Sequence, residues 1–155
     1  ERDGAAGDAG AAEAAGEAGA AGRSSIRGFL RGKSLLVTGA TGFLAKVLLE
    51  KILYEVPDVG TCYLLIQRRG ALSARERLEQ MVASSPAFDR LRARHGDDYA
   101  RVMGAKLVAV EGSIGEESLG MSADDLAAVQ ADASVVVNSA ATTAFDERYD
   151  VAMNV

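Results

Sequence analysis

The chain has 155 residues, 48% of them apolar and 25% charged, with 17 Lys plus Arg against 22 Asp plus Glu and a net charge of −5. That balance excludes a disordered polyelectrolyte, and no apolar run approaches the roughly 20 residues of a membrane span. One cysteine, Cys62, and one histidine, His95, exclude a disulfide framework and a metal site rich in either residue, so no metal is expected.

Residues 1–22 contain 16 Ala or Gly among scattered acids and hold most of the acidic excess. They have no large side chain to bury, and six glycines oppose the helix that alanine favours. A disordered tail or linker is therefore expected over residues 1–25, the stub of something longer. It lacks the character of a transit peptide or secretion signal. Beyond it, acids and bases nearly balance, which argues against a nucleic-acid partner.

The folded part is expected from Ile26 to residue 155. Ser34 to Thr38 is a short apolar run ending at glycine and reads as a buried strand. Phe43 to Tyr54 reads as a helix with Leu44, Val47, Leu48 and Ile52 on one face, stopped before Pro57. Cys62 to Ile66 is a second apolar strand. Ser73 and Glu76 form a capping-box pattern for a helix burying Leu78, Met81 and Val82. Ser85 and Pro86 open another helix that Gly96 ends. Lys106 to Val110 is a third strand, Ser122 to Gln130 a helix, Ser134 to Val137 a fourth strand, and Phe145 to Met153 a last helix. Apolar strands alternating with helices predict an α/β fold, a doubly wound parallel sheet of the Rossmann-like type, cut off after about four strands. Such a cut would leave an edge strand uncovered and prone to association.

Chemistry is expected first at Thr38-Gly39-Ala40-Thr41-Gly42-Phe43-Leu44-Ala45, between the first strand and the first helix. Gly39 permits the tight turn, Gly42 lets backbone approach a pyrophosphate at the helix N-terminus, and Ala45 lets the helix pack closely on the strand. A P-loop is excluded because Gly42 is followed by Phe43 rather than by Lys. The second strand ends in Gln67-Arg68-Arg69, with no acid until Glu76. An acid there would hydrogen-bond the ribose of NAD, whereas Arg68 would attract the 2′-phosphate of NADP, so NADPH is the expected cofactor. Two solvated surface arginines are the plainer alternative. Ser113 offers a hydroxyl near the adenine edge or simply a turn. Asn138, Ser139, Ala140 and Ala141 leave room for ribose and nicotinamide, or pack strand against helix, or both. His95 reads as a solvated helix end, Cys62 as core, and Phe145, Tyr149 and Met153 as a packing stripe.

From Ile26 onward the chain resembles the cofactor-binding half of a fatty acyl reductase of the extended short-chain dehydrogenase/reductase superfamily, the plant male-sterility type in particular. Gly32 to Lys46, Cys62 to Arg68 and Asn138 to Ala152 carry the resemblance, the last being the most specific. It implies NADPH-dependent reduction of a fatty acyl thioester, on coenzyme A or acyl carrier protein, to the alcohol. It also implies cofactor contacts from Thr38, Gly39, Thr41, Gly42, Phe43 and Leu44 at the pyrophosphate, Arg68 at the 2′-phosphate, and Asn138 to Ala141 beside the ribose. The family's proton chemistry uses Tyr-x-x-x-Lys. Here Tyr54, Tyr63, Tyr99 and Tyr149 are followed four residues later by Asp58, Gln67, Met103 and Met153, so no catalytic residue is assigned and the chain alone is expected to be inactive. Ser113 stands where many superfamily members carry an acid. A thioester-reductase domain releasing carrier-bound acyl chains as aldehydes, and a non-catalytic NADPH-binding module, are the competing readings. The plant relatives imply a plastid, with endoplasmic reticulum or cytoplasm open.

Overall fold

The computed structural model describes residues 25–141. The expected tail and the helix over 145–153 lie outside the described residues, except that Ser25 opens the described part.

A single turn of helix, α1 (Ile26–Leu30), is capped by Ser25, whose hydroxyl accepts from the Gly28 N–H at 3.0 Å. Then follow β1 (Ser34–Thr38), α2 (Phe43–Glu55), β2 (Cys62–Ile66), α3 (Ala74–Ser84), α4 (Asp89–His95), α5 (Tyr99–Lys106), β3 (Leu107–Glu111), α6 (Ala123–Asp132) and β4 (Ala133–Asn138). Short 3-10 turns at Pro86–Phe88, Gly96–Asp98 and Glu117–Gly120 join them. All four strands are parallel, in the order β3-β2-β1-β4. Parallel neighbours demand crossovers, and the order reverses at β1, so the helices divide between the two faces.

Two sets of buried side chains follow that division. On one face Leu35 and Val37 of β1 and Cys62, Leu64 and Ile66 of β2 meet Ala45, Leu49, Ile52 and Leu53 of α2, Leu78 and Met81 of α3, Leu91 of α4 and Met103 of α5. The side chain of Phe88, fully buried, joins them, and each such large residue contributes about 2 kcal/mol through area removed from water. On the other face Leu36, Leu65 and Val110 are covered by Val129 of α6.

The elements fall close to the sequence expectations, with three differences. The packed face of α2 is Ala45, Leu49, Ile52 and Leu53, whereas Leu44 is 68% and Val47 41% exposed. Apolar residues run most of the way round this helix, and close approach to β1 selects the side bearing the small Ala45, which is fully buried. Residues 99–106, where the sequence reading assigns no element before a strand at Lys106, form α5, and β3 starts one residue later than expected. Finally, among the described residues β4 is not buried on both faces: Ser134, Val136 and Asn138 are exposed in alternation, while Val129 of α6 packs with residues of β1, β2 and β3.

Candidate functional site

The carboxyl ends of β1 and β4 lie side by side in register, pairing Thr38 with Asn138. This is where the strand order reverses and where open α/β sheets bind their ligands. Thr38 is almost fully buried. Its Oγ1 donates to Asn138 Oδ1 and accepts from the Ala140 N–H at 3.3 Å, and its carbonyl accepts from Ser139 Oγ at 3.2 Å. Thr38 and Asn138 thus bind the two strand ends to each other.

From this join the chain turns at Gly39, which has φ +63. A Cβ there would sit 2.6 Å from the Ala140 nitrogen and 2.7 Å from the Ser139 carbonyl, so only glycine fits. The turn closes with Gly42 N–H donating to Gly39 O at 2.9 Å, and α2 begins at Phe43 with no side chain capping it. Its first-turn N–H groups and the helix dipole are left facing the space beyond the turn. The Phe43 and Leu44 side chains are 78% and 68% exposed, and neither residue lines the cleft that opens beside the turn.

A cleft of about 370 Å³ opens here, lined by Gly39, Thr41 and Gly42 from the turn and by Ser139, Ala140 and Ala141 after β4. Gln67, Arg77, Gly112, Ser113 and Ile114 also line it. Gln67 Nε2 donates to Ser113 Oγ at 2.8 Å, joining the ends of β2 and β3. Among the described residues, no carboxylate lines the cleft and one arginine does, Arg77.

The structure therefore brings the expected residues of 38–42 and 138–141 together, and with them Ser113. Arg68 stands elsewhere. It is absent from the lining, and its Nε donates to Glu111 Oε1 at 3.0 Å. The Ala74 N–H donates to the other Glu111 oxygen at 3.3 Å. Arg68, with help from that N–H, holds the Glu111 carboxyl below its ordinary range. The cation that does line the cleft, Arg77, was missed in the sequence. It lies on α3, and its guanidinium reaches back to donate to the Gln67 carbonyl. Only the reversal of chain between β2 and α3 brings it there.

A dinucleotide fits these residues. The turn at Gly39, Thr41 and Gly42 lines the cleft, the uncapped end of α2 supplies donors, and the described lining carries no acid to repel phosphate. The fold and cleft define an α/β domain of the NAD(P)-binding reductase type. The chain belongs to the male sterility protein family, whose sequence profile matches residues 37–155. It is 45% identical over 127 residues to fatty acyl-CoA reductase 2, chloroplastic, of Arabidopsis thaliana, covering 82% of this chain and 21% of that protein. It is 37% identical over 123 residues to fatty acyl-CoA reductase 1 of Mus musculus, covering 79% and 23%. The chain thus spans under a quarter of the length of either relative. Among solved structures, the reductase domain of a non-ribosomal peptide synthetase from Mycobacterium tuberculosis superposes with a TM-score of 0.56 at 27% identity, over 74% of this chain and 26% of that one. The terminal reductase domain of the myxalamid pathway shares the fold, with a TM-score of 0.59 at 21% identity over 80% of this chain and 28% of that one.

Proposed function

We propose that residues 26–155 are the N-terminal, NADPH-binding part of a fatty acyl reductase that reduces long-chain acyl thioesters to alcohols. The observation that carries the cofactor half of this reading is the cleft lining, which among the described residues offers Arg77 and no carboxylate. NADPH supplies hydride when bound, and the residues here hold and orient it. The turn at Gly39–Gly42 and the first N–H groups of α2 meet the diphosphate. Arg77 meets the 2′-phosphate, with Gln67 and Ser113 at the adenosine end and Asn138 to Ala141 beside the nicotinamide ribose. Phe43 and Leu44 offer their backbone N–H groups at the start of α2.

The substrate half rests on the relatives, which are named as acting on fatty acyl-CoA. Acyl carrier protein as the alternative carrier, alcohol rather than aldehyde as product, and a plastid location like that in the Arabidopsis relative's name belong to the same proposal. The likeness to reductase domains of peptide synthetases supports the second reading, a domain releasing carrier-bound thioesters as aldehydes. The higher identity to acyl-CoA reductases favours the first.

Titrating the chain with NADPH and NADH, followed by nicotinamide fluorescence, tests the cofactor assignment. NADPH is expected to bind at least tenfold tighter, and Arg77→Ala to remove most of that preference. No saturable binding, or tighter binding of NADH, overturns it.

A further inference from the structure

Arg68 and Arg77, two of the four arginines in residues 68–77, have opposite fates. Arg77 lines the cleft, while Arg68 is drawn to the end of the neighbouring strand by Glu111. The sheet builds this pair. Glu111 is the last residue of β3, and the parallel register sets it beside Ile66, two residues before Arg68. Its carboxylate is occupied on both oxygens, by Arg68 Nε at 3.0 Å and by the Ala74 N–H at 3.3 Å, and Ala74 opens α3. The carboxylate is thus fixed by the helix end as well as by its cation. The side chains are 59% and 44% exposed, so the attraction between the two charges is weakened by water, and the second contact from the Ala74 N–H helps keep the carboxylate facing Arg68.

We infer that Glu111 is a positioning residue for cofactor selection, holding Arg68 out of the cleft so that the 2′-phosphate meets one guanidinium instead of two. This rests on the NADPH reading above. A phosphate arriving at Arg77 finds Arg68 already committed to a carboxylate that is anchored from a second side. Neutralising that carboxylate removes the competitor and leaves Arg68, on a flexible stem at the same turn, able to join Arg77.

The test is a cycle of the 155-residue chain, Glu111→Gln, Arg68→Ala and the double variant, each titrated with NADPH and with NADH. Glu111→Gln is expected to tighten NADPH three- to tenfold while NADH changes less than twofold. The gain is expected to vanish when Glu111→Gln is made in the Arg68→Ala background. Glu111→Ser should behave like Glu111→Gln, and thermal unfolding identifies any variant that has lost its fold. A purely structural role for Glu111 would shift both coenzymes together. Unchanged or weaker NADPH binding in both Glu111 variants, an equal gain for NADH, or a gain that survives without Arg68 overturns the inference. An original chain that prefers NADPH while its Glu111 variants do not respond defeats this inference alone. One that binds neither coenzyme defeats the cofactor reading and this with it.

Discussion

Gly39 meets two separate demands with one missing atom. Its φ of +63 penalises any side chain, and a Cβ would press on Ala140 and Ser139 backbone at 2.6 to 2.7 Å. Gly32 has the same φ of +63 but nothing within 4 Å of a Cβ. Gly32→Ala should therefore cost only the backbone strain, about 1 kcal/mol, whereas Gly39→Ala should cost about 2–3 kcal/mol in urea unfolding. Equal losses would contradict the close approach of the two strand ends. Gly39 and Gly42 were legible in the sequence because a tight turn between strand and helix restricts the residue type locally. Arg77 and Glu111 were not. Arg77 meets Gln67 across ten residues and Glu111 meets Arg68 across 43, so only the chain reversal and the sheet register bring them together. Cys62 read correctly as core, being fully buried, and that burial pushes its thiol up to about 11.

Among the elements, α3 shows how local chemistry sets a boundary. Ser73 Oγ accepts from the Glu76 N–H at 3.3 Å, and Glu76 Oε2 accepts from the Ser73 N–H at 2.8 Å. This reciprocal pair fixes where α3 starts, and with it the angle at which Arg77 returns to the cleft. Ser73→Ala should cost about 1 kcal/mol of stability. The Ser73 N–H and hydroxyl hold the Glu76 carboxyl below its ordinary value. A depressed folded-state pKa means that the stabilisation is complete above the unfolded pKa, near ~4.3, and is lost as pH falls through the folded value. Replacing Glu76 by Gln should flatten that part of the acid limb in urea titrations at pH 6 and pH 3, and an unchanged limb would contradict the capping role. The capping box was legible because it is a pattern of four adjacent positions. The face of α2 was not, since apolar side chains nearly encircle the helix and the choice falls to the sheet. Nor was α5, where Gly104 and the preceding Asp97 and Asp98 obscure an eight-residue helix.

For the whole molecule, strand order does most of the functional work. The reversal at β1 sets the ends of β1 and β4 side by side, and their loops part to form the cleft. α/β alternation made the fold class readable, because parallel strands buried on their faces leave near-continuous apolar runs. The exposure of Val136 on β4 was not readable, since which strands α6 covers depends on where its crossover passes. The same topology leaves a second and larger opening, about 730 Å³, between α3, α5 and β3, lined by Leu78, Val82, Met103 and Leu107 among others. Its lining is largely apolar and remote from the glycine turn, so two candidate locations for a ligand can be told apart by experiment. Backbone amide shifts of the isotopically labelled chain, recorded as NADPH is added, distinguish them residue by residue. Saturable shifts are expected at Gly39–Ala45, Gln67, Arg77, Gly112–Ile114 and Ser139–Ala141, with little change along α5. Shifts confined to the opening between α3 and α5, or no saturable shifts at all, would contradict dinucleotide binding at the Gly39 turn.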